Sequence, residues 1–169
     1  MGATNINRTA LNICGCCNLK CANCLAFIPY YKEKFIMTYE EAKELLAAYF
    51  EVVDSVEHFT VTGGEPLLNR NTAKILEEVN LYRNQIRGSI DFVTNGTILI
   101  NDEILDFFER NKDHTKIVLS HYGDELSVKI DEIEKQLKER NITYRISKFY
   151  GDDMYFDGKI KVKLRHWAE

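Results

Sequence analysis

Short runs of β-forming residues alternate with longer amphipathic stretches along most of this 169-residue sequence, and this alternation constrains the fold more than any other feature. Five strands are predicted, at residues 8–14, 58–62, 89–94, 116–122 and 142–148. Four helical stretches separate them, at residues 38–54, 71–84, 102–111 and 125–140. Strands separated by helices in this way indicate βαβ units and a parallel sheet.

Two architectures satisfy the alternation. Right-handed crossovers place all helices on one side of a curved sheet, as in a β/α barrel, or on both sides of a flat sheet, as in a doubly wound fold. A complete eight-stranded barrel needs about 250 residues, so this chain builds only part of one. In both architectures, ligands bind where the parallel strands end.

The first and third helices carry recognisable start signals. Thr38 is followed three residues later by Glu41, which is the capping-box pattern. Asn101 is in position to cap the helix that follows it. These polar residues predict where the two helices begin.

The unusual residues of the sequence follow the ends of predicted strands. The cysteines follow the first strand, GGEP at residues 63–66 follows the second, TNGT at residues 94–97 follows the third, and Ser120 and His121 close the fourth. Because the carboxyl ends of parallel strands meet at one edge of the sheet, we expect these residues to share one rim.

All five cysteines lie within eleven positions, in the stretch ICGCCNLKCANCL at residues 13–25. An odd number of thiols, in a chain whose N-terminus does not resemble a signal peptide, argues against a disulfide framework. A structural zinc site usually separates its two CxxC pairs by about a dozen residues or more, and this stretch is too short for that. The bacterial ferredoxin spacing does not match either.

The remaining spacing is C-x3-C-x2-C, formed by Cys17, Cys21 and Cys24. Three thiolates on a short loop can bind three irons of a cubane and leave the fourth iron without a protein ligand. Such an open metal position admits a substrate or a cofactor. A rival interpretation makes Cys14 a fourth ligand of a non-catalytic iron–sulfur or zinc-binding module, and the spacing alone leaves both open.

With these residues in place, the sequence resembles the radical S-adenosylmethionine (radical SAM) superfamily. CNLKCANC at residues 17–24 is similar to the CxxxCxxC cluster motif of that family, which follows the first strand of a partial β/α barrel. GGEP resembles the family's GGE-type motif after the second strand, and TNGT is a weaker match after the third. The resemblance covers roughly residues 8–150.

The resemblance implies an α/β fold, namely a partial (β/α) barrel of about five to six parallel strands with outer helices and a C-terminal β extension. It implies a single core domain over residues 1–169, either naturally short or truncated at the C-terminus. No cysteine follows Cys24, so we expect the short form without an auxiliary-cluster domain. The β extension is predicted around a turn at Asp157-Gly158, followed by an amphipathic edge strand in which lysine and arginine alternate with apolar residues.

The resemblance also implies a [4Fe–4S] cluster bound by Cys17, Cys21 and Cys24, with SAM chelating the open iron. The predicted SAM contacts are the residues at the next three strand ends, Gly63, Gly64, Glu65, Pro66, Asn95 and Ser120. The glycines permit a close backbone approach, and Glu65 is expected to pair with the ammonium group of SAM. In such enzymes SAM is cleaved to methionine and a 5′-deoxyadenosyl radical, which takes a hydrogen atom from the substrate.

Two features depart from the family pattern. The residue before the third cysteine is often aromatic and helps to seat adenine, but here it is Asn23, so Phe27, Tyr30 or residues of the fifth strand must supply that contact. Cys14 and Cys16 have no place in the motif and are predicted to be small buried side chains that point the same way beneath the cluster loop.

The expected partners are an external low-potential electron donor of the flavodoxin or ferredoxin type and a small-molecule, sugar or peptide substrate. His121, Tyr122, Arg145 and the IPYY loop at residues 28–31 are positioned to reach that substrate, and no catalytic residue is assigned. A net charge of −4 gives no electrostatic case for binding nucleic acid. No apolar run is long enough to cross a bilayer, and without an export signal we expect a cytoplasmic protein.

Overall fold

The computed structural model describes residues 3–21, 24–149, 154–156 and 160–162 of the chain. Its main sheet has five parallel strands, β1 Asn5–Asn12, β2 Ser55–Thr62, β3 Ile86–Thr94, β4 Thr115–His121 and β5 Tyr144–Lys148. Four helices connect them, α1 Tyr39–Val52, α2 Thr72–Leu81, α3 Asp102–Arg110 and α4 Ile130–Glu139. Two 3-10 turns are also present, at Ile28–Tyr30 and Pro66–Leu68.

The order of the strands decides between the two architectures that the sequence left open. They lie in the sequence β1-β2-β3-β4-β5, and every neighbouring pair is parallel. A doubly wound sheet reverses its strand order at a switch point, whereas a barrel adds each strand beside the previous one. The fold is therefore a partial β/α barrel, as the sequence predicts.

The two faces of the sheet have different chemistry. One face packs against the helices through buried apolar side chains of the central strands, Phe59, Val61, Ile90, Phe92, Ile117 and Leu119. The other face carries a polar network, in which His58 Nδ1 lies 2.9 Å from Ser89 Oγ and Ser89 Oγ donates to Asp91 Oδ1 at 2.7 Å. Lys116 Nζ lies 3.3 Å from the same Asp91 oxygen. The helix-covered face is thus the core, and the open face is suited to polar contents.

The predicted helix starts are confirmed. Thr38 accepts a hydrogen bond from Glu41 N, and the Glu41 carboxylate accepts one from Thr38 N at 2.7 Å, which completes the capping box. Asn101 Oδ1 accepts from Ile104 N at 3.0 Å at the start of α3. Both caps satisfy backbone donors that the first helical turn leaves without partners.

Most strands and helices begin or end a few residues away from their predicted bounds, and two of these differences have a visible cause. The first strand ends at Asn12 rather than at Cys14, because Cys14 leaves the parallel ladder and forms an isolated antiparallel bridge with Ile36. The fourth helix begins at Ile130 rather than near residue 125. The residues before it form a turn. Lys129, at the end of this turn, donates its backbone N–H to Gly96 O in the loop after β3 at 2.9 Å.

The C-terminal β extension is present as a short antiparallel pair, β6 Met154–Phe156 and β7 Ile160–Val162. The predicted turn at Asp157-Gly158 and the residues after Val162 lie outside the described part of the chain. Among the described residues, the helices are all too short or too polar to span a bilayer.

Candidate cofactor site at the carboxyl ends of the strands

Gly63 and Gly64 allow the cysteine loop, described at residues 13–21 and 24–25, to lie directly against the end of β2. Gly64 N donates to Cys14 O at 2.9 Å, and Glu65 N donates to Cys16 O at 2.7 Å. A Cβ atom on Gly64 would stand only 2.1 Å from Cys16 O, and one on Gly63 would stand 2.9 Å from Cys14 O. The close backbone approach predicted for these glycines is therefore made by the cysteine loop itself.

Glu65 joins the ends of β2 and β3. Its side chain is fully buried, and Oε1 accepts hydrogen bonds from Leu67 N at 3.0 Å and Thr94 Oγ1 at 2.8 Å, while Oε2 accepts from Asn95 N at 2.7 Å. Burial raises the pKa of this carboxyl to about 7, against the opposite effect of these hydrogen bonds. Pairing with the ammonium group of SAM stays a prediction. The next residue, Pro66, is buried at the start of its 3-10 turn.

Asn95 fastens the cysteine loop to the end of β3. Its Nδ2 donates to Asn18 Oδ1 at 3.0 Å and to Cys17 Sγ at 3.6 Å, and its Oδ1 accepts from Thr97 N at 3.0 Å. Asn18 Nδ2 in turn donates to Thr97 Oγ1 at 2.7 Å. Leu19 N supplies a second donor to Cys17 Sγ at 3.3 Å. Two N–H groups directed at one sulfur suit a thiolate.

Ser120 is buried near the end of β4, and the following residues connect that end to β3. Ser127, which the sequence analysis did not single out, accepts from Tyr122 N at 2.9 Å and donates to Asn95 O at 2.8 Å. The Tyr122 ring stacks on Phe149, with ring centroids 5.4 Å apart. Ser127 thus links Tyr122, directly after β4, to Asn95 at the end of β3.

Tyr122 lies close to the cysteines of the predicted cluster motif. The pKa of its phenol is raised to about 12, first by burial and then by the charge of the three thiols, and a hydrogen bond with Ser120 acts in the opposite direction. Phe27 and Tyr30, the residues predicted to contact adenine, are largely exposed, and these contacts stay predictions. Asn23 lies outside the described residues.

The three thiols of the motif fit an iron–sulfur cluster by their chemistry. Cys17, Cys21 and Cys24 are free and half-buried. The pKa of Cys21 is raised to about 11, first by burial and then by repulsion from the other two thiols, so the three are close enough to interact. Thiolates are the ligands that iron–sulfur clusters use, and a bound metal stabilises their charged form. Within the described residues, no group of three or more His, Cys, Asp or Glu side chains is arranged so that it could hold a metal ion.

The two additional cysteines have different environments. Cys14 is fully buried, burial raises its pKa, and its Sγ donates to Glu65 O at 3.2 Å, so its thiol is engaged beneath residues 63–66. The prediction of burial is wrong for Cys16, which is partly exposed, with its Sγ 3.8 Å from Phe35 O. The chain has already left strand geometry at Cys14, so the alternation assumed for the pair does not apply.

The sequence model of the radical SAM superfamily matches residues 11–148, most of the chain. The chain belongs to the radical SAM superfamily. The cofactors of this family are a [4Fe–4S] cluster and SAM. The match includes the cysteine motif and the residues at the ends of β2, β3 and β4 described above.

Several radical SAM proteins are similar to this chain. GTP 3′,8-cyclase of Campylobacter jejuni is 22% identical over 163 residues, which are 93% of this chain and 46% of the relative. The structure of anSMEcpe with bound AdoMet covers 84% of this chain and 43% of its own, with a TM-score of 0.62 and 20% identity. Streptococcus suis SuiB bound to precursor peptide SuiA gives a TM-score of 0.66 and 19% identity, over 85% of this chain and 33% of SuiB. The chain spans less than half the length of each.

Proposed function

We propose that this chain forms the core of a radical SAM enzyme, in which Cys17, Cys21 and Cys24 hold the [4Fe–4S] cluster. When bound, the reduced cluster supplies one electron for cleavage of SAM, which yields methionine and a 5′-deoxyadenosyl radical that abstracts hydrogen from a substrate. The observation that carries the proposal is the attachment of the cysteine loop to the ends of β2 and β3, through residues 63–65 and through Asn95.

The chain's own residues prepare this site before any cofactor binds. Asn95 and Leu19 direct N–H groups at Cys17 Sγ, and Gly64 lets the loop lie against the sheet without a steric clash. Fixed ligands lose little conformational entropy when a cluster forms, which favours its binding. The fixed position of Cys17 Sγ supports the proposal that this thiolate is a cluster ligand.

The proposed SAM contacts remain the six residues named from the sequence, at the ends of β2, β3 and β4. Gly63 and Gly64 are half-buried and their backbone already contacts the cysteine loop, whereas the Glu65 carboxylate is fully buried. We assign the Glu65 side chain the additional task of holding Asn95 in place through its backbone N–H. Tyr122 joins the candidate contacts because the charges of the three thiols act on its phenol and its backbone N–H is linked through Ser127 to Asn95.

The substrate is proposed to approach over the open face of the sheet. Lys116 and Asp91 lie on this face, and Arg145, exposed on β5, pairs with Val118 in the ladder and shares the face with it. By their names, the related cyclases act on GTP and SuiB binds a peptide. A small molecule, a sugar or a peptide therefore stays the proposed substrate class, with an external low-potential electron donor and a cytoplasmic location.

The test is reductive cleavage of SAM. The protein is reconstituted with iron and sulfide under anaerobic conditions, SAM and dithionite are added, and 5′-deoxyadenosine is measured by chromatography. Wild type and Cys14→Ala should produce the nucleoside, and Cys17→Ala should not. Equal loss in both variants would favour four thiolate ligands, and no nucleoside from wild type despite an intact cluster would reject the enzymatic function.

A further inference from the structure

Residues 25–36 form a surface, here called the cluster-side surface, that exposes an unusual amount of apolar side chain. Leu25 is 83% exposed, Phe27 65% and Tyr30 68%, and Tyr31, Phe35 and Ile36 add to the patch. Ile28 between them is only 3% exposed and anchors the segment to the fold. Contiguous exposed apolar patches of this kind mark interaction sites more often than isolated surface residues do.

Backbone contacts hold this surface against the cysteine loop. Phe27 N donates to Cys24 O at 3.0 Å, and Gly15 N donates to Phe35 O at 2.8 Å. Gly15 lies beneath the Phe35 ring so closely that a Cβ atom there would come within 2.7 Å of the ring. A molecule that docks on the cluster-side surface therefore lies next to the loop that carries the thiolates.

The charges around this surface are positive. Between residues 18 and 36 the chain has three lysines, Lys20, Lys32 and Lys34, and one acidic residue, Glu33, which gives a local net charge of +2 in a chain of net charge −4. All four side chains are exposed. Within the described part of the chain, none of these lysines forms an ion pair. The apolar patch thus has a cationic border.

We propose that the cluster-side surface is the docking site of an acidic one-electron carrier of the flavodoxin or ferredoxin type. The proposal rests on the proposed function, which requires one electron to enter the cluster: the carrier is oxidised by one electron, the cluster is reduced by one electron, and no bond forms or breaks. A small apolar patch with a charged border is suited to a transient redox encounter, in which complementary charge accelerates association. The position of the patch beside the cysteine loop brings the carrier close to its acceptor.

The test measures the rate at which reduced flavodoxin bleaches the visible absorbance of the reconstituted cluster in stopped flow. The variant Lys32→Glu/Lys34→Glu reverses the cationic border. At low ionic strength we expect reduction about tenfold slower than in wild type, and the difference should shrink as salt screens the charges. The matched control, Arg83→Glu/Lys112→Glu, changes the net charge equally at exposed residues that precede β3 and β4, at the opposite end of the sheet from the patch, and should stay within about twofold of wild type.

A second variant examines the apolar centre. Leu25→Ser/Ile36→Ser should raise the flavodoxin concentration that gives half of the maximal rate, with little change in the salt dependence, because the lysines remain. In each variant the final yield of 5′-deoxyadenosine with dithionite should equal that of wild type, since this small reductant needs no docking surface.

The two proposals fail in different ways. Wild-type rates with flavodoxin in both the lysine and the apolar variants would overturn the docking site while leaving dithionite-driven cleavage intact. A loss of dithionite yield in the variants would also overturn it, since the surface would then serve the substrate or the fold. Absence of nucleoside from wild type with dithionite would instead reject the proposed function.

Discussion

The two sides of the cysteine loop are built in opposite ways. On the inner side, residues 63–66 and 94–97 bury Glu65 and Asn95 and give their polar groups hydrogen-bond partners within the protein. On the outer side, the cluster-side surface leaves apolar rings and lysines exposed. The difference indicates that the inner side fixes the positions of the thiolates, whereas the outer side keeps its contact area for another molecule. Substitutions on the inner side should therefore cost stability, and those on the outer side should not.

The largest effect is expected for Gly64→Ala. The new Cβ would lie 2.1 Å from Cys16 O, which is a backbone atom that cannot move without displacing the cysteine loop. We expect a loss of about 3 kcal/mol in the free energy of unfolding, measured by urea denaturation, together with reduced iron content after reconstitution. Gly63→Ala, with its nearest contact at 2.9 Å, is the milder control. Equal stability of Gly64→Ala and wild type would show that the close contact between Gly64 and Cys16 does not fix the cysteine loop.

Glu65→Gln examines the buried carboxyl. Its pKa in the fold, about 7, lies above the ordinary 4.5, so between these values the folded protein holds a proton that the unfolded chain releases. The stability from this group is therefore fully present below pH 4.5 and is lost as the pH rises through about 7. Urea denaturation across this range should show that decline in wild type and not in the variant. The variant also loses about 1 kcal/mol, since its amide offers one acceptor oxygen in place of two. If the stabilities of wild type and Glu65→Gln changed with pH in parallel, the Glu65 carboxyl would not be the cause of the decline.

Asn95→Leu removes a sulfur hydrogen bond with little change in side-chain volume. N–H donors stabilise the reduced, more negative state of a cluster, so the midpoint potential, measured by electron paramagnetic resonance (EPR) during a redox titration, should become more negative. Asn18→Leu leaves the contact between Asn95 and Cys17 in place and should shift the potential less. Identical potentials in both variants and wild type would show that the amide does not act on the cluster.

The smallest effect is expected on the outer side. Leu25→Ser and Tyr30→Ser should change the free energy of unfolding by no more than about 0.5 kcal/mol, because both side chains are already largely in water. Ile28→Ser, in the same segment, should cost about 2 kcal/mol because that side chain is buried. If Leu25→Ser lowered the free energy of unfolding as much as Ile28→Ser does, the Leu25 side chain would be part of the core and the cluster-side surface would not be a free contact area.

The sequence was sufficient for the features that depend on local pattern. Strand and helix alternation predicted the parallel sheet, Thr38 and Asn101 predicted two helix starts, and the positions after strand ends predicted which residues share the rim. These predictions succeed because each depends on residues that are near one another in the chain. The pattern alone left open the choice between a barrel and a doubly wound sheet, which the resemblance to a family predicted and the strand order decided.

Other features depend on approaches between distant segments, which no local pattern encodes. The contact of Gly64 with Cys16 O, the hydrogen bonds of Asn18 across 77 residues to Asn95, and the bridge between Cys14 and Ile36 are of this kind. The burial of Cys16 was predicted wrongly for the same reason, since that bridge ends the strand earlier than the periodicity suggests. Tyr122 was noted only for its position in the sequence, and its proximity to the three thiols required the fold.

In the proposed enzyme, three thiolates hold the cluster and leave one iron open to SAM. The most direct measurement is the EPR spectrum of the dithionite-reduced cluster, recorded with and without SAM, in wild type and in Cys14→Ala. We predict that SAM changes the spectrum in the same way in both proteins, because the open iron gains a new ligand and Cys14 is not bound to the cluster. A wild-type spectrum that ignores SAM, together with an altered cluster in Cys14→Ala, would contradict the claim.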